Sequence, residues 1–317
     1  MKTVSVIIPT YNEGENADRI YHQLVDLFDT GLTTYRLEIV FSDNASQDDT
    51  YDRITRLAEA DPRVKGIRLS RNFGFQQNIL SGLMNASGNC VIQLDADGED
   101  PPELIREFLT QWEAGYDVVY GIRTERHESF LLTFQRKVFY RLLFKMASID
   151  MPVDAGDFRL LDRRIVDLLI QRFKEHNPYL RGLVSYIGFR QKGIPYQRNA
   201  RMIGSSKFSY LSYFGLAWDA ITSFSRMPLK IVSALGVIMA GFAFAGMLFY
   251  LVLYLFVGVD IQGFTTIVLL LLLLFGIQLL SLGIFGEYIS RIFDEVKGRP
   301  RIIIDKHCGF EEPPSEA

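Results

Sequence analysis

The residues with the clearest chemical potential are four carboxylates within six positions, Asp95, Asp97, Glu99 and Asp100, which follow the apolar run Val91–Leu94. Carboxylates this close repel one another unless a cation lies among them, and hard oxygen ligands suit Mg²⁺ or Mn²⁺. The segment contains no His or Cys, which disfavours zinc. It therefore predicts a Mg²⁺ or Mn²⁺ site, and the alternative is a solvated acidic turn in front of a helix.

An alternating order of elements explains how these carboxylates can meet other polar groups. Apolar runs predict four strands, each followed by a polar loop and a helix, at 4–8, 37–41, 64–69 and 91–94. This order is typical of an α/β fold with a mostly parallel sheet and helices on both faces, in which ligands bind after the carboxyl ends of the strands. Asn12, Asp43, Asn72 and the acidic segment all fall in those loops. We therefore expect a binding site at the end of the sheet where the carboxyl ends of these strands lie.

The second half of this domain gives weaker signals. A further strand is predicted at 116–121 and a helix at 130–146. The Gly156–Asp157 pair indicates a tight turn just before the apolar segment that begins at Phe158. Residues 187–196 are typical of an edge strand or a hairpin. These segments extend the α/β fold without indicating a function.

Two long uncharged stretches lie near the end of the chain, between Lys230 and Asp260 and between Asp260 and Glu287. Each exceeds the roughly 20 residues that a helix needs to cross the hydrocarbon core of a bilayer. The connecting turn carries no Lys or Arg, whereas both outer flanks are basic, so the positive-inside rule places the flanks in the cytoplasm. We expect an integral plasma-membrane protein with two spans and with both termini and the main domain in the cytoplasm.

Composition and patterning complete the domain organisation. The chain divides into a cytosolic domain, an amphipathic juxtamembrane segment, two membrane helices and a cytosolic tail, at 1–208, 209–228, 229–257, 264–287 and 288–317. A net charge of −3 provides no basic field for nucleic acid. Cys90 and Cys308 form neither a disulfide framework nor a metal-binding spacing. Gly236, Gly241 and Gly246 give the first membrane helix small faces that allow homo-oligomerisation.

Several segments together resemble the family-2 glycosyltransferases, which have the Rossmann-like GT-A fold. These segments are Val4–Glu13, Ser42–Thr50, Ser70–Gly74, Asp95–Glu103 and Gly156–Arg163. The membrane hairpin, preceded by the basic segment Arg201–Lys207, narrows the resemblance to the polyprenyl-phosphate glycosyltransferases. These include dolichol-phosphate mannose synthase and, more similar to this chain, the bacterial undecaprenyl-phosphate glucosyltransferases. The resemblance covers about residues 1–300.

The resemblance implies a role for the acidic segment. Asp95 and Asp97 occupy the Asp-x-Asp positions of the family, and Glu99 stands where the family commonly has Gln. Together they would hold Mg²⁺ or Mn²⁺ on the diphosphate of the donor and neutralise the charge that develops as the nucleotide leaves. Glu in place of Gln keeps an oxygen ligand and adds a charge, so metal binding is expected and its strength is open.

The resemblance also implies the donor-binding residues. Asp43 matches the position that contacts the base of the nucleotide sugar, and Pro9, Tyr11 and Glu13 would surround the nucleoside. Asp43 has an equally weighted alternative, which is an Asx turn at the start of the following helix. Arg201 and Lys207 match a loop that closes over the donor diphosphate, with a flexible basic linker as the alternative.

Asp157 matches the catalytic aspartate of the family. A carboxylate usually removes a hydroxyl proton in glycosyl transfer, but a phosphate monoester with a second pKa of roughly 6 is already largely ionised. Asp157 is therefore expected either to act as a base or to position a substrate. A purely structural alternative is a salt bridge to Arg159 or Arg163.

Arg123, Arg136 and Ser205 match the residues that bind the acceptor phosphate. The alternative for the two arginines is that they are cations at the membrane surface, attracted to anionic lipid head groups.

The function implied is inverting transfer of a sugar from a UDP-sugar, with UDP-glucose favoured, to undecaprenyl or another polyprenyl phosphate at the cytoplasmic face. Mannose, N-acetylglucosamine and amino-arabinose remain alternatives for the sugar. A processive polysaccharide synthase is disfavoured because the chain lacks a Gln-x-x-Arg-Trp motif. The alternative from another class is a non-catalytic membrane scaffold that binds nucleotide sugars.

Overall fold

The computed structural model describes residues 1–124, 155–176, 178–199, 227–257 and 263–311. Its first part contains β1 Lys2–Thr10, α1 Gly14–Gly31, β2 Tyr35–Asp43, α2 Thr50–Ala60, β3 Val64–Leu69, α3 Phe75–Asn85 and β4 Cys90–Gln93. After a 3₁₀ turn at Pro102–Leu104 follow α4 Ile105–Glu113, β5 Val118–Arg123, β6 Ala155–Asp162, α5 Arg163–Arg172, α6 Leu180–Ile187 and β7 Gln191–Tyr196. The last elements are α7 Met227–Val257, α8 Phe264–Lys297 and β8 Ile304–Cys308. The helix predicted at 130–146 lies outside the described residues, as does most of the juxtamembrane segment predicted at 209–228.

The strands of the described chain form one eight-stranded sheet in the order β7-β5-β6-β4-β1-β2-β3-β8. β1 pairs in parallel with β2 and β4, β2 with β3, and β5 with β7. β6 runs antiparallel between β4 and β5, and β8 runs antiparallel along β3. The prediction of a mostly parallel sheet is confirmed. The edge position of β7 was also predicted, although this strand pairs in parallel with β5 and forms no hairpin with it.

The core lies on both faces of the sheet because successive residues of a strand point to opposite sides. Val6 and Ile8 belong to one buried cluster, which includes Phe41 and the apolar side of α1. Ile7 belongs to the other cluster, which includes Val40 and residues of α3. Helices therefore cover both faces, as predicted, and they fix the carboxyl ends of the parallel strands at one edge.

Strand β6 corrects the prediction of a tight turn at Gly156–Asp157. Both residues lie inside this strand, between β4 and β5. A glycine beside an aspartate is an ordinary turn signal, but here the missing side chain makes room for a guanidinium. A Cβ at Gly156 would lie 3.3 Å from Nη2 of Arg123. Because β6 pairs Arg159 with Gln93 of β4, the strand brings Asp157 to the same edge as the acidic segment.

Two long apolar helices follow the α/β domain. α7 has 31 residues and α8 has 34, so at 1.5 Å per residue they are about 46 and 51 Å long. Met227–Gly246 and Leu273–Lys297 are long and apolar enough to cross a membrane, and neither segment is buried inside the protein. α8 continues past residue 287, where the second membrane span was predicted to end, and stops at Gly298 in a left-handed conformation.

A short strand at the end of the chain returns to the sheet. Ile304–Cys308 forms β8, which covers the outer edge of β3. The sequence analysis treated residues 288–317 as a tail, and it missed this strand because Asp305, Lys306 and His307 interrupt the apolar pattern. The segment is thus attached to the α/β domain rather than separate from it.

Candidate active site

The carboxyl edge of the sheet has two parts of different character. We call the loops after β1, β2 and β3 the neutral half, because amide and hydroxyl groups dominate their hydrogen bonds. We call the acidic loop after β4, together with the adjoining parts of β5 and β6, the charged half. Both halves lie where the strand order predicts ligand binding.

Asp43 is the main ionisable group of the neutral half. Its side chain is completely buried at the end of β2. It accepts hydrogen bonds from the hydroxyl and from the backbone N–H of Ser46, the latter at 3.1 Å, and its Oδ2 lies 3.9 Å from Nε of Arg68. Burial raises the pKa of Asp43, although these bonds and Arg68 act in the opposite direction. Asp43 thus makes local hydrogen bonds to Ser46, but α2 begins only at Thr50, so the Asx turn predicted at the start of that helix is not formed by Asp43. The base-binding role stays a prediction.

Side-chain amides connect the three loops of the neutral half. The Oδ1 of Asn12 accepts from the N–H of Gln47 at 2.8 Å. The amide nitrogen of Asn44 donates to Oδ1 of Asn72 at 2.9 Å, and the Oδ1 of Asn44 accepts from the N–H of Phe73 at 2.9 Å. These bonds satisfy loop backbone groups and fix the loops relative to one another.

The structure brings the predicted donor-binding residues of the described chain into the neutral half. Pro9 is buried near the end of β1, and Tyr11 is half-buried just after that strand. The backbone N–H of Glu13 donates to Oγ1 of Thr50 at 2.9 Å. Arg201 and Lys207 lie outside the described residues, and the same is true of Arg136 and Ser205. These four assignments stay predictions.

Asp95 is the least satisfied carboxylate of the charged half. Its Oδ1 is shielded from solvent and has no hydrogen-bond partner within the described residues. Burial and the negative charges of Asp157, Asp100 and Asp97 raise the pKa of Asp95 to about 8. A carboxyl group in this state holds its proton near neutral pH unless a cation replaces it.

The other acidic residues of this loop have partners. The Oδ1 of Asp97 accepts from the backbone N–H of Glu99 at 3.1 Å, and Glu99 forms an ion pair with Arg198. Asp100 is buried, accepts a hydrogen bond from the hydroxyl of Tyr196, and has its Oδ2 3.7 Å from Nη2 of Arg123. No three His, Cys, Asp or Glu residues of the described chain are close enough together to hold a metal. The structure thus places Asp95, Asp97 and Glu99 on one loop but does not assemble them as a ligand set.

Asp157 lies in β6 and is held by two arginines. Its Oδ1 lies 2.7 Å from Nε of Arg181 and 3.1 Å from Nη2 of Arg159, and its Oδ2 pairs with Nη2 of Arg181. Burial alone would raise the pKa of Asp157, but Arg181 first, and then Arg159 and Arg123, hold it at about 2. The carboxylate is therefore a fixed anion and a weak base. The predicted contact to Arg159 is present, whereas Arg163 donates to the carbonyl of Gly88 at 2.8 Å instead.

Arg123, the last residue of β5, connects the acidic loop to β7 through Asp100 and Tyr196. Its Nε donates to the hydroxyl of Tyr196 at 3.3 Å, and it is the group for which Gly156 makes room. Burial would lower the pKa of Arg123, but Asp100 and Tyr196 raise it, so the guanidinium stays charged. A permanent cation among carboxylates is suited to a phosphate ligand.

Sequence reasoning missed three contributors to the charged half, Tyr196, Arg181 and Arg198. Arg181 lies 24 residues from Asp157, and Tyr196 lies 96 residues from Asp100. No local spacing indicates such pairs. For Tyr196, the alternation of the predicted edge strand offered a weak signal, because it would place one side chain in two on the core side.

Open α/β sheets of this kind bind ligands at the carboxyl ends of their strands, where these charged groups lie. A family model described as "Glycosyl transferase family 2" matches residues 5–169. The chain belongs to glycosyl transferase family 2, its fold is the GT-A type, and it is a transferase.

The match to individual proteins extends over nearly the whole chain. YkcC of Bacillus subtilis (strain 168), described as an uncharacterized glycosyltransferase, is 42% identical over 308 residues, which cover 97% of this chain and 94% of that protein. The SfII prophage-derived bactoprenol glucosyl transferase of Shigella flexneri is 36% identical over 306 residues, covering 96% and 97%. The solved mannosyl-3-phosphoglycerate synthase of Rubrobacter xylanophilus is 16% identical, with 74% and 75% covered and a TM-score of 0.47.

Proposed function

We propose that this protein transfers glucose from UDP-glucose to a polyprenyl phosphate, such as undecaprenyl phosphate, at the cytoplasmic face of the plasma membrane. One observation carries the proposal: a relative named bactoprenol glucosyl transferase matches 96% of the chain, so the similarity includes both long apolar helices as well as the α/β domain. The charged half supplies suitable chemistry, because Arg123 offers a cation to a phosphate and Asp157 offers a fixed anion.

The reaction is a single displacement. An oxygen of the lipid phosphate attacks the anomeric carbon of the sugar, the bond to the diphosphate breaks, and UDP leaves with the electron pair, so the configuration inverts. The attacking phosphate is already ionised near neutral pH. With a pKa of about 2, Asp157 is poorly suited to take up a proton. We therefore assign Asp157 the role of orienting the reacting groups rather than that of a base.

A divalent cation fits part of the charged half. Asp95 presents a shielded oxygen without a partner among the described residues, and it holds its proton because the group is buried and the neighbouring charges are negative. Asp95 and Asp97 would hold Mg²⁺ or Mn²⁺, with Glu99 joining them if its pair with Arg198 opens. When bound, the cation would neutralise the leaving diphosphate.

The neutral half is proposed as the site of the nucleotide. Asp43 would contact the uracil base, and Pro9, Tyr11 and Glu13 would surround the nucleoside, as the family resemblance implies. Arg201 and Lys207 would cover the diphosphate, and Arg123, Arg136 and Ser205 would bind the acceptor phosphate. The preformed loops support this division, since three amide-linked loops present a rigid surface to a flat base.

The proposed membrane topology is a hairpin with both flanks in the cytoplasm. β8, which follows the second long helix, pairs with β3 of the α/β domain. Because both ends of the helix pair therefore attach to one domain, the chain must cross a membrane an even number of times. Basic residues concentrate on the flanks and are absent from the connecting turn, which favours the cytoplasm for the domain.

The test uses the purified full-length protein in detergent with undecaprenyl phosphate, Mg²⁺ or Mn²⁺, and radiolabelled UDP-glucose, UDP-N-acetylglucosamine, UDP-amino-arabinose and GDP-mannose. Label extracted into organic solvent reports lipid-linked sugar. We expect label from UDP-glucose, its loss in Asp157→Asn, and its retention in Asp167→Asn, a matched variant whose aspartate is half-exposed on α5. Label from another donor alone would correct the sugar. Binding of UDP without lipid-linked label from any donor would overturn the transferase proposal in favour of a scaffold.

A further inference from the structure

We propose that Arg181 is a positioning residue for sugar transfer and that it acts by fixing the orientation of Asp157. The inference rests on the proposed function, because it assigns Arg181 to the same reaction. Arg181 is not among the residues that the family resemblance indicated, and it belongs to α6, outside the strands and loops that carry those residues.

The geometry of the pair is the first argument. Nε and Nη2 of Arg181 contact different oxygens of Asp157, the first at 2.7 Å. A two-pronged contact of this kind fixes the plane of a carboxylate, whereas a single hydrogen bond lets it rotate. Asp157 is only 7% exposed, so little water competes at the carboxylate, although the Arg181 side chain is 33% exposed.

Arg159, the second arginine on Asp157, contributes differently. It reaches only Oδ1, at 3.1 Å, and it also donates to the carbonyls of Gly156 and Asp157 in its own strand. Arg159 thus supports the carboxylate from within β6, but one contact does not fix the second oxygen. The orientation of Oδ2 depends on Arg181.

The position of Arg181 is itself fixed from two directions. The backbone N–H of Leu180 donates to Oε1 of Gln76 on α3 at 3.1 Å. The carbonyl of His176 accepts from Gln77 at 2.9 Å, and its N–H donates to Oε1 of Glu295 on α8 at 2.7 Å. The chain that leads into Arg181 is therefore held both by α3 and by the end of the second long helix.

This arrangement predicts a particular kinetic defect. Without Arg181, Asp157 keeps the positive charges of Arg159 and Arg123, but its carboxylate is free to rotate, so the turnover step slows while substrate binding changes little. If Arg181 were instead a direct ligand of the acceptor phosphate, its loss would mainly raise the KM for the lipid. The two roles are thus separable by kinetics.

The experiment is a double-mutant cycle with Arg181→Gln, Asp157→Asn and the combined variant, in the full-length protein, with donor and lipid phosphate each titrated at a saturating concentration of the other. We expect Arg181→Gln to lower kcat by about tenfold or more and to change both KM values by less than about threefold. In the Asp157→Asn background the same change should cost less than about twofold, because a residue that acts through Asp157 has nothing left to orient. Arg190→Gln, on the far surface over the ring of Tyr116, should behave as wild type.

Arg181→Lys provides the second readout, because it keeps the charge and loses the two-pronged contact. It should recover less than half of the kcat lost in Arg181→Gln, and it decides the question if Asp157→Asn is too slow for the cycle. Full recovery by Lys, an additive cycle, or a rise in the lipid KM alone would overturn the inference. Wild-type activity in Arg181→Gln would overturn it as well. Absence of lipid-linked product in the wild type would instead overturn the proposed function.

Discussion

The neutral and charged halves of the carboxyl edge are built in different ways. In the neutral half, Asp43 and the three asparagines are satisfied by neighbours that lie close in sequence or on the adjacent loop. In the charged half, Asp157 and one oxygen of Asp100 are satisfied by residues from distant elements, whereas Oδ1 of Asp95 and Oδ2 of Asp100 have no hydrogen-bond partner within the described chain. Among the described residues, local hydrogen bonds hold the first half together, whereas the second retains shielded carboxylate oxygens without a hydrogen-bond partner.

This difference indicates how the two halves should respond to substitution. Rigid, neutral loops lose binding gradually when one hydrogen bond is removed, because the others remain. Closely packed charges depend strongly on one another, so a single change alters several groups at once. The following experiments place matched substitutions in both halves.

The largest effect is expected for Asp95→Asn. The change removes the carboxylate that presents a shielded, unpartnered oxygen, and with it the charge that would retain a divalent cation. Metal-dependent turnover should fall by about 10²-fold or more. The metal-free variant should melt no lower than wild type near neutral pH, because Asp95 with a pKa of about 8 is already uncharged there and asparagine is also uncharged. Turnover within about threefold of wild type would exclude Asp95 from the metal site.

Gly74→Ala tests the backbone of the neutral half. Gly74 has φ 96° and ψ 165°, a region that is essentially restricted to glycine, and a Cβ there would have only Oε1 of Gln77 nearby, at 3.9 Å. The cost should therefore be backbone strain of about 1–3 kcal/mol, without a steric clash. Thermal unfolding measures it, and an unchanged midpoint would show that the loop before α3 can relax.

The affinity for Mn²⁺ should depend on pH through Asp95. Its pKa of about 8 in the metal-free folded protein lies above the ordinary value of 3.8. Below pH 8 the cation must displace a proton, so the Kd for Mn²⁺ should rise by about tenfold for each unit by which the pH falls. By the same linkage, the metal-free protein binds more protons when folded than when unfolded. Its stability should therefore decline as the pH rises towards 8.

Calorimetric titration and thermal unfolding at several pH values measure both trends. The Asp95→Asn variant serves as the control and should flatten the stability curve. A Kd that does not change between pH 6 and pH 8 would contradict the assignment, because it would mean that no proton is displaced.

Asp43→Asn is the counterpart of Asp95→Asn in the neutral half. Asparagine retains an oxygen that can accept from the N–H of Ser46 and loses the charge that faces Arg68. We expect the KM for the donor to rise by about three- to tenfold with little change in kcat, because the lost interaction would stabilise the bound donor and the transition state equally. A fall in kcat as large as that of Asp95→Asn would show that the two halves do not differ as proposed.

The smallest effect is expected for Gly156→Ala, which matches Gly74→Ala but lies in the charged half. The added Cβ would approach Nη2 of Arg123 to 3.3 Å, so the guanidinium must move by a few tenths of an ångström. Turnover or the lipid KM should change by less than about tenfold, because larger losses require displacements near 1 Å. A loss beyond 10²-fold would indicate that Gly156 does more than make room for Arg123.

The same contrast explains how far the sequence predicts the molecule. β3 and α3 occur at the predicted residues, Val64–Leu69 and Phe75–Asn85, because apolar periodicity and loop residues are local signals. The hydrogen bonds of Asp43 to Ser46 are local as well, although the Asx turn predicted for Asp43 at the start of α2 is not formed. The neutral half was therefore largely accessible from sequence.

The charged half was only partly accessible. The acidic loop itself is visible as a pattern, but the partners Arg181 and Arg198 come from elements that only the tertiary fold brings near it. The turn predicted at Gly156–Asp157 failed for the same reason, since the need for that glycine arises from Arg123 on a neighbouring strand. Residues that form ion pairs between distant elements have no characteristic separation in the sequence by which they could be recognised.

The attachment of β8 to β3 limits how far the two parts of the chain can separate. α8 ends at Lys297 and β8 begins at Ile304, and this connector can extend to at most about 25 Å. The short connector therefore keeps the sheet near the end of the second long helix. Because this tether limits how far the α/β domain can move from the helices, a lipid phosphate would have to move towards the active site rather than the active site towards the lipid.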